Sequence, residues 1–301
     1  MYPSPTLDEP LQLSQHATTA AAATGSGQVL KVVMLNGDEH QVAYNANMSI
    51  DQLKAQLFTT TRVVPGKQKL LFQGQELVHT PPHTPNAPAT HAPACMVATQ
   101  VPTTESRPRS LADYHVGPGA TLHLLVLLYE FKNSDINKVI FALNWTFPGS
   151  QADYLDGSCL RYQGQTLVDV VDFSRRKADG ILHSGDVMQA RSGHHNMRIQ
   201  LDAVPKHIDR LFFALSAYVC GNLSLFRNPS VTIYDERHPT QKLCQYAISS
   251  AGASSAVIMC CLHRSSGGWE AITVGRHSGG TVRNYDQMNH TCRQLVQAQT
   301  V

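Results

Sequence analysis

Charge is scarce in this chain: only 15% of its 301 residues are Asp, Glu, Lys or Arg, and the net charge is +2. So weak a field does not steer it toward nucleic acid or an anionic membrane. Arg175-Arg176-Lys177 is a compact basic run that reads as a solvated loop. No apolar stretch is long enough to span a bilayer. The start has no basic segment followed by an apolar one, so no secretory signal is expected. The seven cysteines are odd in number and irregularly spaced, with no Cys-x-x-Cys pair. That pattern argues against a disulfide framework and against a structural zinc site. A reducing setting follows as the expectation, cytoplasmic or nuclear. Phosphate-binding glycine loops, glycine-flanked nucleophile turns and paired His-Glu motifs are missing too. Cys220, Cys244 and His263 supply the parts of a thiol mechanism without its pattern, so no enzyme is expected.

What is present falls into two halves. Residues 1–27 show no apolar periodicity and are expected to be a disordered tail. Val29 to Leu35 then alternates, placing Leu30, Val32 and Met34 on one face, and Asn36-Gly37 supplies a hairpin turn. Val42 and Tyr44 continue the alternation. Ser49 with Gln52 three residues on forms a capping box, and Ile50, Leu53 and Leu57 give the following helix one apolar face. Lys69 to Phe72, the turn at Gln73-Gly74, and Glu76-Leu77 read as strand, turn and short strand. A single turn over residues 110–114 and a long strand from Thr121 to Leu128 close the unit. Between them, residues 78–108 hold seven of the sixteen prolines and cannot join a strand ladder. Such an insertion is tolerable because loop-closure entropy grows slowly with length.

The wording matches as well as the order. Lys69-Leu70-Leu71-Phe72-Gln73-Gly74-Gln75-Glu76-Leu77, Leu111-Ala112-Asp113-Tyr114 and Thr121-Leu122-His123-Leu124 resemble segments of ubiquitin. The resemblance implies a β-grasp domain over residues 28–130. No glycine pair follows its last strand, so it implies a fixed domain and not a detachable modifier. It also implies a receptor-facing apolar patch at Leu35, Leu71 and Leu125 beside His123, since exposed leucines clustered on a sheet mark interaction sites. The alternative is that the patch packs in cis against the second half. Gln75 stands at the position of ubiquitin's principal chain-forming lysine.

From Lys138 the pattern turns to short strands punctuated by Asp156-Gly157, Asp179-Gly180, Gly185-Asp186, Gly221-Asn222 and Gly267-Gly268. That spacing predicts a mainly antiparallel β-sandwich, giving an α+β chain overall, with residues 131–301 as its second domain. A helix is expected somewhere in residues 282–296. Leu155-Asp156-Gly157-Ser158, Asp179-Gly180-Ile181-Leu182-His183-Ser184-Gly185-Asp186 and Gly268-Trp269-Glu270-Ala271 resemble the motifs of the tellurite-resistance TerD-type stress proteins.

That resemblance implies calcium held between acidic loops, which takes about six to eight oxygen ligands. Here the set is depleted. Asp156 and Asp186 remain as degenerate candidates, but Tyr154 replaces a partner carboxylate, and Arg191, His194 and His195 stand where acids are expected. No cofactor is therefore expected, and the two aspartates read as turn residues. His183, His194 and His195 match no established zinc or copper spacing and read as surface histidines. Taken together, the sequence predicts a non-catalytic adaptor. One half would meet ubiquitin-binding proteins or the proteasome, and the other an unidentified partner or ligand. The runner-up is a stress-response ligand or calcium sensor whose ubiquitin-like half only controls turnover.

Overall fold

The computed structural model describes residues 11–13, 28–79, 108–132, 136–147, 154–189, 192–218, 221–248 and 253–298. Strands β1 (Leu11–Leu13), β2 (Val29–Met34) and β3 (Glu39–Ala43) precede helix α1 (Ile50–Thr61); β4 (Gln68–Phe72), β5 (Gln75–Glu76) and β6 (Thr121–Glu130) follow it. The second half begins with β7 (Lys138–Thr146), β8 (Leu155–Gln163), β9 (Thr166–Val171), β10 (Lys177–Ala178) and β11 (Ile181–His183). It continues with β12 (Val187–Gln189), β13 (Ser192–Gln200), β14 (Arg210–Ala217), β15 (Arg227–Asp235) and β16 (Lys242–Ile248). Strands β17 (Ala256–Ser265) and β18 (Gly268–Ser278) and helix α2 (Asp286–Gln297) complete it.

The first half is built as its local signals direct. The Ser49 amide donates to Gln52 Oε1 at 2.9 Å and the Gln52 amide to Ser49 Oγ at 3.2 Å, so the capping box satisfies both groups. Ile50, Leu53 and Leu57 are fully buried under the sheet. Arg62, at φ 60°, ends the helix in the left-handed region. Strand β6 runs parallel to β2 and antiparallel to β4, and Leu122, Leu124 and Val126 face the α1 core. Leu11–Leu13 pairs in parallel with β16, so these three residues depart from the expected disordered tail. The proline-rich insertion between residues 80 and 107 lies outside the described residues.

In the second half two sheets face each other. One has the path β1-β16-β15-β7-β13-β11-β10; the other runs β3-β2-β6-β18-β17-β14-β8-β9. Phe141 of β7 stacks on Phe213 of β14 at 4.2 Å between ring centroids, across the space between them. Trp145, Met197, Ile233, Leu215 and Met259 fill the same layer.

The second path holds the main surprise. The sequence ends the closing strand of the first unit at Leu128, yet β6 runs on to Glu130 and pairs with β18 through Leu127↔Ile272, Tyr129↔Ala271 and Glu130↔Glu270. One sheet therefore crosses the expected domain boundary. Successive residues of β6 serve different cores: Leu124 and Val126 the α1 side, Leu125 and Leu127 the α2 side, and Leu128 the space between the sheets. Cys260 and Cys261 are adjacent in β17, so their side chains point to opposite faces of the sheet. Both are buried, because β17 is covered by the facing sheet on one side and by α2 on the other.

Candidate functional site

Strands β2, β4 and β6 of the first half bring Leu35, Leu71, Leu125 and His123 onto one face, as the ubiquitin resemblance implies. Of the two readings the sequence leaves open, a free face and a face packed in cis, the geometry is that of the second. Leu35, Leu71 and Leu125 are only 6%, 8% and 4% exposed. They share a cluster with Ile272 and Val274 of β18 and with Met288, Cys292, Leu295 and Val296 of α2. The reason is α2 itself: its apolar residues recur at 288, 292, 295 and 296, one stripe of a helix, and that stripe covers the outer face of the second sheet and the leucines together. Grooves of about 150 Å³ beside Leu35, His123 and Leu295, and about 380 Å³ beside Leu71, Leu125 and Val296, flank the seam.

Ion pairs pin the seam. Glu270, 1% exposed, receives the Lys69 ammonium at 2.8 Å and pairs with Lys132 as well. Lys67 Nζ also donates to the Leu128 carbonyl at 3.0 Å. Burial would push Glu270 up, but hydrogen bonds and charge from Lys132 and Lys69 hold it below its ordinary 4.5. His263 goes down to about 4, through burial first and the charge of Arg210 second. Both shifts act in one direction with pH. Between pH 6.5 and about 4 the unfolded chain binds a proton that folded His263 refuses, and below 4.5 Glu270 resists protonation in the same way. The contribution is full above pH 6.5 and is lost as pH falls through these values. The expected result is a thermal midpoint that drops across this window, by less in His263→Gln than in the unmodified chain.

The second constellation sits at one end of the sandwich. Asp156 was expected in a turn; it lies inside β8, opposite Ser216 of β14. Its neighbour Gly157 is needed there, since a Cβ would stand 2.9 Å from the Cβ of His195. His195 of β13 stacks on Trp145 at 5.0 Å and lies 4.9 Å from the His183 ring. His183 and His195 are thus core residues and not surface histidines, whereas adjacent His194 points the other way and is half-buried. Asp156, Asp186 and His195 place one ligand atom each within 4.8 Å of one another. They border a cleft of about 330 Å³ that Tyr154, Phe173 and Tyr218 also line.

The electrostatics of this cluster are unbalanced. Burial, then the charges of Asp186 and Asp172, push Asp156 up to about 7 against the pull of Arg283. Burial lowers His195, and lowers His183 to about 4. Asp172 is different: hydrogen bonds from Ser174, the Arg175 amide and the Tyr285 hydroxyl outweigh burial and keep it low, so its oxygens are spent on its own loop and on the start of α2. Arg191, weighed in the sequence, lies outside the described residues. Two carboxylates and an imidazole do not fit calcium, which takes six to eight oxygens.

The thiols offer little to a nucleophilic mechanism. Burial pushes Cys159, Cys260, Cys261 and Cys292 up and Cys244 to about 12, which keeps them protonated. Cys220 lies outside the described residues. No helix among the described residues is long and apolar enough to cross a membrane.

Two facing sheets flanked by a terminal helix, joined through a shared strand to a sheet that carries its own helix, define a two-domain, β-rich protein. Residues 126–285 match the TerD domain model and residues 30–81 the ubiquitin family model; the first covers more than half of the chain, which belongs to the TerD domain family. Tellurium resistance protein TerZ of Serratia marcescens is 20% identical over 175 residues, 52% of this chain and 88% of that protein. A solved homologue of telluride resistance protein TerD from Streptomyces coelicolor is 18% identical, covers 51% of this chain and 98% of its own, and superposes with a TM-score of 0.41.

Proposed function

We propose that this chain is a non-catalytic adaptor of the cytoplasm or nucleus. Its β-grasp half carries a receptor patch for ubiquitin-binding proteins or the proteasome, held masked in cis, and its sandwich engages a second partner or ligand. The observation that carries this reading is the coincidence of two facts. The residues matching ubiquitin's receptor face lie together, and they share their apolar cluster with β18 and with an amphipathic helix, α2. A helix laid on an apolar groove is a mode that partner proteins themselves use, so α2 occupies the patch as a receptor helix would.

The test is a gain of binding. Full-length chain carrying Leu295→Asp and Val296→Asp sets two carboxylates against the leucines, which expels the end of α2. Capture by an immobilised ubiquitin-interacting helix is expected to rise at least tenfold over the unmodified chain. Leu295→Ala with Val296→Ala, which loosens the helix without adding charge, should give an intermediate rise. Equal capture of masked and released forms would show that α2 does not gate the patch. A released variant that keeps its near-ultraviolet dichroism yet is not captured would defeat the adaptor reading.

A further inference from the structure

Asp156 and His195 are 6% and 1% exposed, yet Asp156 Oδ2 and His195 Nδ1 have no hydrogen-bond partner among the described residues. Buried polar atoms are rarely left so, because each forfeits its hydration for nothing. The imidazole tautomer follows from its other nitrogen. Nε2 lies 2.9 Å from the Leu155 carbonyl, which can only accept, so Nε2 carries the proton and Nδ1 presents a lone pair. That lone pair faces Asp186 Oδ1 at 3.8 Å. Three lone-pair-bearing groups therefore converge, and no N–H or O–H of another described residue reaches Asp156 Oδ2 or His195 Nδ1. Nearby His183 cannot supply one, since its Nδ1 accepts from the Gly185 amide at 2.8 Å and its Nε2 faces the Gly157 carbonyl at 3.2 Å.

We propose that Asp156, Asp186 and His195 bind one divalent transition cation of the zinc type, in place of the calcium that the TerD resemblance implies. The choice rests on ligand chemistry. An imidazole nitrogen suits zinc and its neighbours and adds nothing for a hard cation. Three protein ligands leave a fourth position open, the pattern of zinc sites that exchange a small ligand, and here that position faces the cleft between Tyr154 and Tyr218. The carbonyl bond on His195 Nε2 is the outer support that metal-bound histidines ordinarily have. Asp186, 56% exposed on the loop before β12, is the adjustable member. The leucine face plays no part in this inference, and the two stand or fall separately.

The experiment uses the chelator-treated full chain and titrates it with zinc ions by calorimetry in parallel with calcium. One zinc per chain at micromolar affinity or tighter is expected, with no comparable response to millimolar calcium. Asp186→Asn, at a half-exposed position that the core does not need, should weaken zinc binding at least tenfold. His194→Gln, next in sequence but on the opposite face, should leave it unchanged and so separates the site from adventitious surface histidines. Zinc affinity unaltered by Asp186→Asn, equal loss in His194→Gln, or binding of calcium as tight as that of zinc would overturn the assignment.

Discussion

Leu71→Asp is expected to destabilise the whole chain by about 3–5 kcal/mol, the range for leaving an uncompensated charge in a desolvated site. At an exposed patch the same change would cost little, and that is the outcome the sequence alone suggests. The structure reverses it. Leu71 is 8% exposed and packs with Leu35, Leu125 and Val296, so an aspartate there is taken largely out of water against apolar neighbours, and Lys69, beside it, is already held by Glu270 and Glu76. A loss of that size should lower the thermal midpoint by about 6–20 °C, at roughly 2–4 °C per kcal/mol for a chain of this class. Urea denaturation of the full-length protein measures it. A change below about 1 kcal/mol would mean that the seam is open in solution.

The second large effect belongs to Glu270. Its carboxylate holds Lys69 across the seam and Lys132 within its own half, and Lys69 is itself largely buried. Glu270→Ala is expected to cost about 3 kcal/mol, the low end for breaking a buried pair. Glu76, 3.3 Å from Lys69, keeps part of the compensation and sets the low end. Glu270→Gln keeps the shape and one acceptor oxygen, while the other becomes an NH2 donor facing an ammonium, and should cost less than the alanine change. If both substitutions cost the same, the charge of Glu270 contributes nothing and only its packing matters.

The first half was legible because its signals are local. A capping box, an apolar stripe and an alternating hairpin each act within a few residues, and Ser49, Leu53 and Val32 sit where those signals place them. The sandwich was harder to read. Strand β8 is buried along nearly its whole length, so it has no alternation, and Asp156-Gly157 looks like a turn until the His195 ring is seen to need the space above Gly157. The receptor-face residues were identifiable by resemblance, but their cover was not. Contact between Leu71 and Val296 spans more than two hundred residues of chain, and nothing in an amphipathic stripe names the surface it will meet. Asp186 was singled out from the sequence, while its meeting with His195 needed β13 laid beside β11 and β12.

Strand β6 has a practical consequence for anyone dissecting this protein. A cut at residue 130 or 131, the natural choice from sequence, falls at the very end of a strand that both halves use. The carboxy-terminal piece would keep β18 with Glu270 to Ile272 facing no neighbour, a bare sheet edge that invites pairing with other copies. The amino-terminal piece would carry Leu125, Leu127 and Leu128 uncovered, since their partners lie on the other fragment. Insolubility of either piece would therefore report the missing neighbour and not a failure to fold, and the intact chain is the smallest unit in which both surfaces are complete.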